Sequence, residues 1–504
     1  MVRPLLFGAL SGWRTRRIEG MSASARSLPS FRLLSLVFSW AICAFVSSCG
    51  GGGGGADSAS SGTATTTPVT PVPVTSTTPP PASSTPSSSL QLSLPRSGLV
   101  ASELGVIVAE GDALSEAIAA YYQAARGIPA ANVIRVKLAT GTDAISAADF
   151  AALKAEIDAK LPIGVQATLL TWSAPSRVAG ACSMSITSAI AFGFDAKYCG
   201  AGCTATAASA LYNSESSRPW NDHKIRPSMM LGARTLAGAK TLIDRGVSAD
   251  ASYPTGNGYL LRTSDAARSV RYADQAALPA RWAASNLLLG YIDNSAGAGS
   301  DSLSDKANVL FYFTGLAKVP GIASNSFRPG AIADHLTSYG GLLPSANGQM
   351  PITDWLDAGA TASFGTVEEP CNYEQKFSRA SVLIDQYWRG ATLIEAYWKA
   401  VEWPGQGLFV GEPLAQPFRD APSFSIDAGQ YLISTRALRA GSRYSLDYRT
   451  PASTAWTTLA SFNSATAQAQ SLRAPLPPAE ATQLRWVGPC PANAAQQCTL
   501  ATSN

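Results

Sequence analysis

From Leu104 onward the chain alternates short apolar runs with stretches of helical period. They are Gly105–Val108, a helical stretch Leu114–Ala125, punctuation at Ile128-Pro129, a strand at Val133–Leu138 and a helix over Ala147–Leu161. This spacing predicts a β-α-β-α start. The run Gln166–Trp172 is apolar on both faces, as a strand inside a helix-covered parallel sheet should be. An α/β fold with a mostly parallel sheet and flanking helices is therefore expected. Residues 174–235 break the rhythm and read as a long irregular insertion. Regular elements resume with a helix near Ala237–Arg245, a strand at Tyr259–Arg262 and a helix near Pro279–Leu289. Strands follow at Val309–Phe313, Ala331–Ala333 and Ala362–Thr366. If these strands are parallel, their carboxyl ends share one edge, which is where open α/β sheets hold ligands. A long amphipathic stretch, Ala380–Trp403, covers one sheet face and ends at Pro404. After Pro417 the pattern changes to short alternating runs at Tyr431–Ser434, Tyr444–Tyr448, Trp456–Leu459, Gln470–Leu472 and Gln483–Val487. These predict a small β-sandwich of the Ig/FnIII-like kind.

The first ninety residues carry a different message. Arg26 and Arg32 precede the apolar run Leu33–Val46 and then Ser47-Ser48-Cys49, the layout of a signal peptide and not of a membrane span. Val46-Ser47-Ser48-Cys49 resembles the lipobox of bacterial lipoproteins, which implies that Cys49 is acylated with diacylglycerol and palmitate. Met21 would open a signal peptide of more usual length, making residues 1–20 a misassigned start. Gly50 stands where an inner-membrane retention signal would have Asp, so a lipid anchor in the outer membrane of the bacterial cell envelope is expected, facing the periplasm or the surface. From Gly50 to Ser89 the chain is six glycines and then mostly Ser, Thr and Pro. Such a segment cannot build a core and acts as a disordered tether with a span of roughly 35 Å. The organisation expected is a signal peptide over 1–48, a lipidated cysteine and tether over 49–89, an α/β domain over 90–417 and a β-sandwich over 418–504.

At 504 residues, 46% of them hydrophobic, the chain can fill two cores. The signal segment takes six of 38 basic and one of 34 acidic residues with it, leaving 32 and 33. A mature chain near charge −1 without a Lys/Arg run lacks the electrostatic footprint of nucleic-acid binding, which excludes that partner. The partners expected are the membrane, through the anchor, and an envelope protein, peptide or glycan. No cofactor motif and no metal-ligand set is present, since the chain holds two histidines, His223 and His335.

Of eight cysteines, Cys43 leaves with the signal and Cys49 is acylated, so six remain in an oxidising compartment. Cys199 with Cys203 and Cys490 with Cys498 are the plausible local bridges. Cys182 and Cys371 then either pair or stay as thiols. If they stay reduced, a candidate site emerges. Asp334-His335 would follow the strand Ala331–Ala333, and Cys371 would follow Ala362–Thr366 beside Glu368 and Glu369. A thiol next to an imidazole is a nucleophile near neutral pH, and a carboxylate orients the ring. The Gly365 turn could supply an oxyanion hole. Asp222-His223 reads as a solvated loop. Trp172, Trp220 and Tyr212 offer aromatic faces suited to a sugar, or simply to the core.

Six strings resemble those of a bacterial family of conserved secreted proteins and lipoproteins of unassigned activity. They are Ser183–Asp195, Arg226–Met230, Leu260–Tyr272, Phe311–Ala317, Gly359–Asn372 and Glu402–Pro413. More remotely, the second half is similar to gingipain-type cysteine peptidases, whose fold is caspase-like. Phe311–Ala317 resembles their strand ending in Gly-His-Gly, Trp355–Thr366 their helix and strand ending in a Gly-Ser-Thr-like turn, and Gly411-Glu412-Pro413 their closing Gly-Asp-Pro. That resemblance implies a general-base histidine where this chain has Leu316, and a nucleophilic cysteine after the next strand, where it has Asp334-His335. The expectation is a binding or assembly role on a scaffold without the usual dyad. The alternative is a cysteine hydrolase with Cys371 as nucleophile, His335 as base and Glu368 or Glu369 as orienter.

Overall fold

A computed structural model describes residues 90–490 apart from Ser93, Asn286, Ala465 and Ala467. The expected signal peptide, lipidated Cys49 and tether, and Cys498, lie outside the described residues.

The organising element is a ten-stranded mixed sheet, mostly parallel, with helices flanking it. Its strands in chain order are β1 (Leu104–Ala109), β2 (Val133–Val136), β3 (Ala167–Leu170), β4 (Ser228–Met230), β5 (Asn257–Arg262), β6 (Leu288–Asp293), β7 (Val309–Gly315), β8 (Phe327–Leu336), β9 (Ala362–Thr366) and β10 (Gly407–Gly411). In space they run β6-β5-β7-β8-β9-β10-β4-β3-β1-β2. Pairings within β6-β5-β7-β8-β9 and within β4-β3-β1-β2 are parallel, whereas β10 runs antiparallel to β9 and meets β4 through a single pairing of Val410 with Met230. All residues of β1, β3, β7 and β9 are buried, the consequence of cover on both sheet faces.

Local chemistry sets the helix limits. Helix α1 (Ala113–Arg126) starts where Asp112 accepts the Ser115 amide at 2.8 Å and stops at Gly127, whose φ of 64° ends the helix in a left-handed turn. Ser146 caps α2 (Ala147–Lys160) and Thr235 caps α3 (Leu236–Ala249) through the same side-chain oxygen geometry. The expected single helix Ala380–Trp403 is instead two, α4 (Ala380–Trp388) and α5 (Leu393–Ala400). The break falls at Gly390, with φ 92°, where a Cβ would come within 2.8 Å of the Phe418 carbonyl. Thr392 and Glu395 then form a capping box that restarts the helix.

Two further expectations change. Residues 279–289 hold no helix of that length. Two single turns, Tyr272–Ala276 and Leu278–Trp282, precede β6, which begins at Leu288 because its backbone pairs with β5. The insertion 174–235 is more ordered than its composition suggests. It contributes Arg177–Ala179 and Ser183–Ser185 to a three-stranded sheet with Ala144–Ser146, then a helix over Ile186–Phe192, and it also supplies β4, which lies inside the main sheet.

After Pro417 come β11 (Ser423–Asp427), β12 (Gln430–Thr435), β13 (Arg443–Arg449), β14 (Thr457–Asn463), β15 (Gln470–Pro475) and β16 (Gln483–Cys490). They form two small sheets, β11-β12-β15 and a second in which β16, β13 and β14 are joined by Gln91–Leu92. Ile433, Leu446, Leu484 and Trp486 from these strands share one apolar cluster, against which Leu90, Leu92 and Leu94 also pack. The first described residues therefore belong with the terminal strands and not, as the sequence division at residue 90 implied, with the α/β body.

Candidate functional site

The loops that leave the carboxyl ends of β3, β8 and β9 meet. The Leu343 amide donates to Ser176 Oγ at 3.0 Å, and Arg177 Nη1 lies 3.4 Å from Glu368 Oε2. Beside them the loops after β5 and β7 are locked together, since Thr263 Oγ1 donates to the Gly315 carbonyl at 2.6 Å. The shared edge expected from the sequence therefore exists, and the candidate residues can be located on it or away from it.

His335 is away from it. β8 runs on to Leu336, so Asp334 and His335 lie inside the strand, each 1% exposed, and do not follow it. Successive strand residues face opposite sides of a sheet, which separates the two side chains. Asp334 turns to Arg271 (Nη1 at 2.8 Å) and Ser378 (Oγ at 2.5 Å). His335 turns to the other side, where its Nδ1 accepts Trp355 Nε1–H at 2.9 Å and its Nε2 faces the Met350 carbonyl at 3.2 Å. Burial pushes the imidazole down to about 3, and the positive charges of Arg271 and Arg268 push it the same way. The ring is a neutral strut in the core, without an orienting carboxylate and without access to substrate.

The cysteines pair differently from expectation. Cys182 bonds Cys199 and Cys203 bonds Cys371, with Cα separations of 5.8 and 5.2 Å. Cys199 and Cys203, four apart, point to different partners because the Gly200-Ala201-Gly202 bend carries the chain from Cys182, beside the edge strand Ser183–Ser185, to Cys371 in the loop after β9. Cys490 is disulfide-bonded, and Cys498, its expected partner, lies outside the described residues. With its sulfur in a cystine, Cys371 has no thiolate to offer. Glu369 Oε1 accepts the Cys371 amide at 3.0 Å, stabilising a turn in which Cys371 and Asn372 both have positive φ. Glu368 pairs with Arg177, so neither carboxylate orients a base. Gly365 is an interior residue of β9, paired with Leu408, and its Cα face abuts the Gly341 backbone, which leaves no room for an oxyanion.

Other residues that the sequence left unassigned do line this edge. Beyond Leu336 come Thr337 and Ser338. Thr337 Oγ1 donates to Gln349 Oε1 at 2.7 Å and accepts Arg268 Nε at 3.2 Å. The Tyr339 amide also donates to Gln349 Oε1, and Thr366 Oγ1 donates to the Ser338 carbonyl. Ser338 and Tyr339 are half-buried. Burial raises the Tyr339 phenol, with Glu368 and Glu369 adding to the effect. Arg177 ties this group to Asp143 at 3.0 Å. Lys376 follows, its ammonium buried beside the Tyr373 ring and pushed down to about 8 by that burial. Leu316 follows Gly315 at the end of β7, so no imidazole stands beside Ser338. The signal that could have found this group was Leu336, an apolar residue that resumes the strand pattern of β8 after the polar pair Asp334-His335.

The remaining candidates are structural. Asp222 accepts Ser216 Oγ–H at 2.6 Å and His223 Nε2 lies 3.4 Å from Ser214 Oγ, so both close their own loop. Trp172 is buried, and the Trp220 face is covered by the Arg226 guanidinium 3.5 Å from its centroid, so the two make no open aromatic platform. Among the described residues no cluster could hold a metal ion, and no helix is long and apolar enough to cross a membrane.

Five of the six strings reach this edge, while Arg226 of the sixth lies at the amino end of β4, on the Val165 carbonyl. Ser185 and Ser188 donate to the Gly407 carbonyl, Arg271 spans to Asp334 and the Thr314 carbonyl, and Thr366 pairs with Gly407. Compared with protein-family models, curated proteins and solved structures, the chain has no significant match.

Proposed function

We propose that this chain is a lipid-anchored envelope protein that binds an envelope partner through the carboxyl edge of β7, β8 and β9, on a caspase/gingipain-like body that has no catalytic dyad. The observation that carries this reading is the pair of fates at the candidate dyad. The Cys371 sulfur is bonded to Cys203, and His335 is hydrogen-bonded inside the core on the far side of β8 from Asp334. What remains at the edge is hydroxyls, amides, guanidiniums, carboxylates and the Lys376 amine, a mixed set of donors and acceptors suited to recognising a partner. The caspase-like reading draws support from the order β6-β5-β7-β8-β9-β10 with its last strand reversed. The two terminal sheets around one apolar cluster support a β-sandwich that serves as an interaction or stability module.

A photo-crosslinking residue at Tyr339, introduced into the full chain in the envelope, tests the reading. A discrete adduct that disappears on Arg177→Ala is expected. Absence of any adduct at Tyr339 and at Ser338 would remove the binding role. Nonreducing peptide mapping with alkylation of the same material tests the alternative. A rapidly alkylated Cys371 thiol would revive the hydrolase reading, whereas a Cys203–Cys371 peptide ends it. Labelling with palmitate, lost on Cys49→Ser, tests the anchor.

A further inference from the structure

A second concave feature lies at the opposite edge of the sheet, where α1 and α3 end, and shares no residue with the carboxyl edge. It is a cavity of about 390 Å³ walled by residues 95–101, by the ends of the two helices and by the segment that leads into the terminal strands. Arg96, Arg126, Asp250, Gln416, Arg419 and Asp420 supply its polar lining, with Leu99, Leu414 and Pro422 between them. The volume falls in the range of roughly 300–1,000 Å³ usual for small-molecule sites.

The wall is held rigidly from behind. Arg126 places Nε 3.1 Å from Glu412 Oε1 and Nη1 2.5 Å from Asp250 Oδ2, while its Nη2 binds Glu412 Oε2. Tyr122 OH donates to the same Glu412 at 2.6 Å, and the Gln416 amide donates to Asp250 at 2.9 Å. Arg96 forks onto Glu103. Glu395, 2% exposed, receives the Leu99 amide at 3.0 Å and Thr392 Oγ1 at 2.6 Å on Oε2, and its buried Oε1 has no hydrogen-bond partner. Arg96, Arg126 and Asp250 are thus matched acid to base, and Arg419 and Asp420 at the rim carry opposite charges, so the lining has no strong excess of either sign. Two buried positions beside the cavity lack a hydrogen-bond partner, the Nε donor of Arg96 and the Oε1 acceptor of Glu395, so the unused positions are mixed in kind. A hydroxyl is both donor and acceptor, so an array of hydroxyls complements such a wall where an anion or a cation would meet repulsion from half of it.

We propose that this cavity binds a neutral saccharide unit. The inference goes beyond the carboxyl-edge reading and stands whether or not that reading does. The test is calorimetric titration of the purified full chain in detergent with maltotriose, cellotriose and N-acetylchitotriose, and with trigalacturonate and fully deacetylated chitotriose as charged controls. Two variants accompany it, Val100→Trp, which adds bulk at a wall position 53% exposed, and Arg419→Ala at the exposed rim. At least one neutral trisaccharide is expected to titrate, with affinity falling about tenfold or more in both variants and the melting temperature unchanged. No heat from any neutral sugar, equal binding of a charged control, or affinity that survives both variants overturns the proposal.

Discussion

The imidazole of His335 can satisfy both neighbours only while neutral, because a proton on Nδ1 would set N–H against the Trp355 N–H. Its folded-state pKa is therefore lowered, from 6.5 to about 3. Between those values the unfolded chain binds a proton that the native protein refuses, so stability is complete above pH 6.5 and declines as the pH falls towards 3. The slope from this group is about 1.4 kcal/mol per pH unit. Asp334 contributes with the opposite sign, since burial raises its pKa and the native state holds that proton more tightly. His335→Gln separates the two, because Gln offers an acceptor and a donor without titrating and leaves Asp334 in place. Urea unfolding from pH 7 to pH 5 should show the wild type losing about 1–2 kcal/mol more than the variant. Equal losses in both proteins would mean that the imidazole reaches water.

At the scale of elements, what holds the carboxyl edge together is close backbone approach and one long cystine. Gly315 ends β7 directly against the backbone carbonyl of Arg268, which cannot move aside as a side chain would. Gly315→Ala should destabilise by about 1–3 kcal/mol in thermal or urea unfolding, and a neutral result would show that the loop after β5 yields. The Cys203–Cys371 bridge closes a loop over a separation of 168 residues, against 17 for Cys182–Cys199. Chain entropy predicts that Cys203→Ser/Cys371→Ser costs about 2 kcal/mol more than Cys182→Ser/Cys199→Ser, which paired unfolding curves measure. These elements also show how far the sequence reaches. The strong period of α1, the i, i+3, i+7 spacing of Phe150, Leu153 and Ile157 in α2, and the two-sided apolar runs of β1, β3, β7 and β9 were legible, because local pattern and burial agree there. β4 was hidden, since three residues after Pro227 carry no period, and its place is set by neighbours on both sides. The end of β8 was misread because Asp334 and His335 look like loop residues, and only the partners Arg271, Ser378 and Trp355 make them tolerable inside a strand. The cysteine pairing depended on where the Gly200-Ala201-Gly202 bend directs the chain, which spacing alone does not encode. So the edge was foreseen, with Glu368, Glu369 and Cys371 on the loop after β9, whereas Thr337, Ser338 and Tyr339 were not.

For the whole molecule, the terminal sheets are tied to the α/β body at both ends. Gln91–Leu92 pairs with β16, so the chain passes through the terminal layer before it enters β1. On the other side Arg439 reaches back to Glu215 and Asn213, both at 2.8 Å, and Glu215 also receives Arg389 at 2.9 Å. Burial tends to raise the Glu215 carboxyl, but Arg389, Lys399 and Arg439 outweigh it and the net shift is downward. The carboxylate thus joins α4 to the loop before β13 with three cations gathered round it. Removing it leaves Arg389, whose side chain is 6% exposed, with Asp385 alone as its ion-pair partner. Glu215→Ala should therefore cost about 3 kcal/mol, and the loss should not stay local. Hydrogen exchange ought to quicken in β12, β13 and β16 as well as in α4, because one carboxylate serves both layers. Arg439→Ala, which removes only the partly exposed partner, should cost about 1 kcal/mol and leave α4 protected. If Glu215→Ala instead accelerates exchange in α4 alone, the terminal sheets are held by the Gln91–Leu92 pairing and not by this charge cluster.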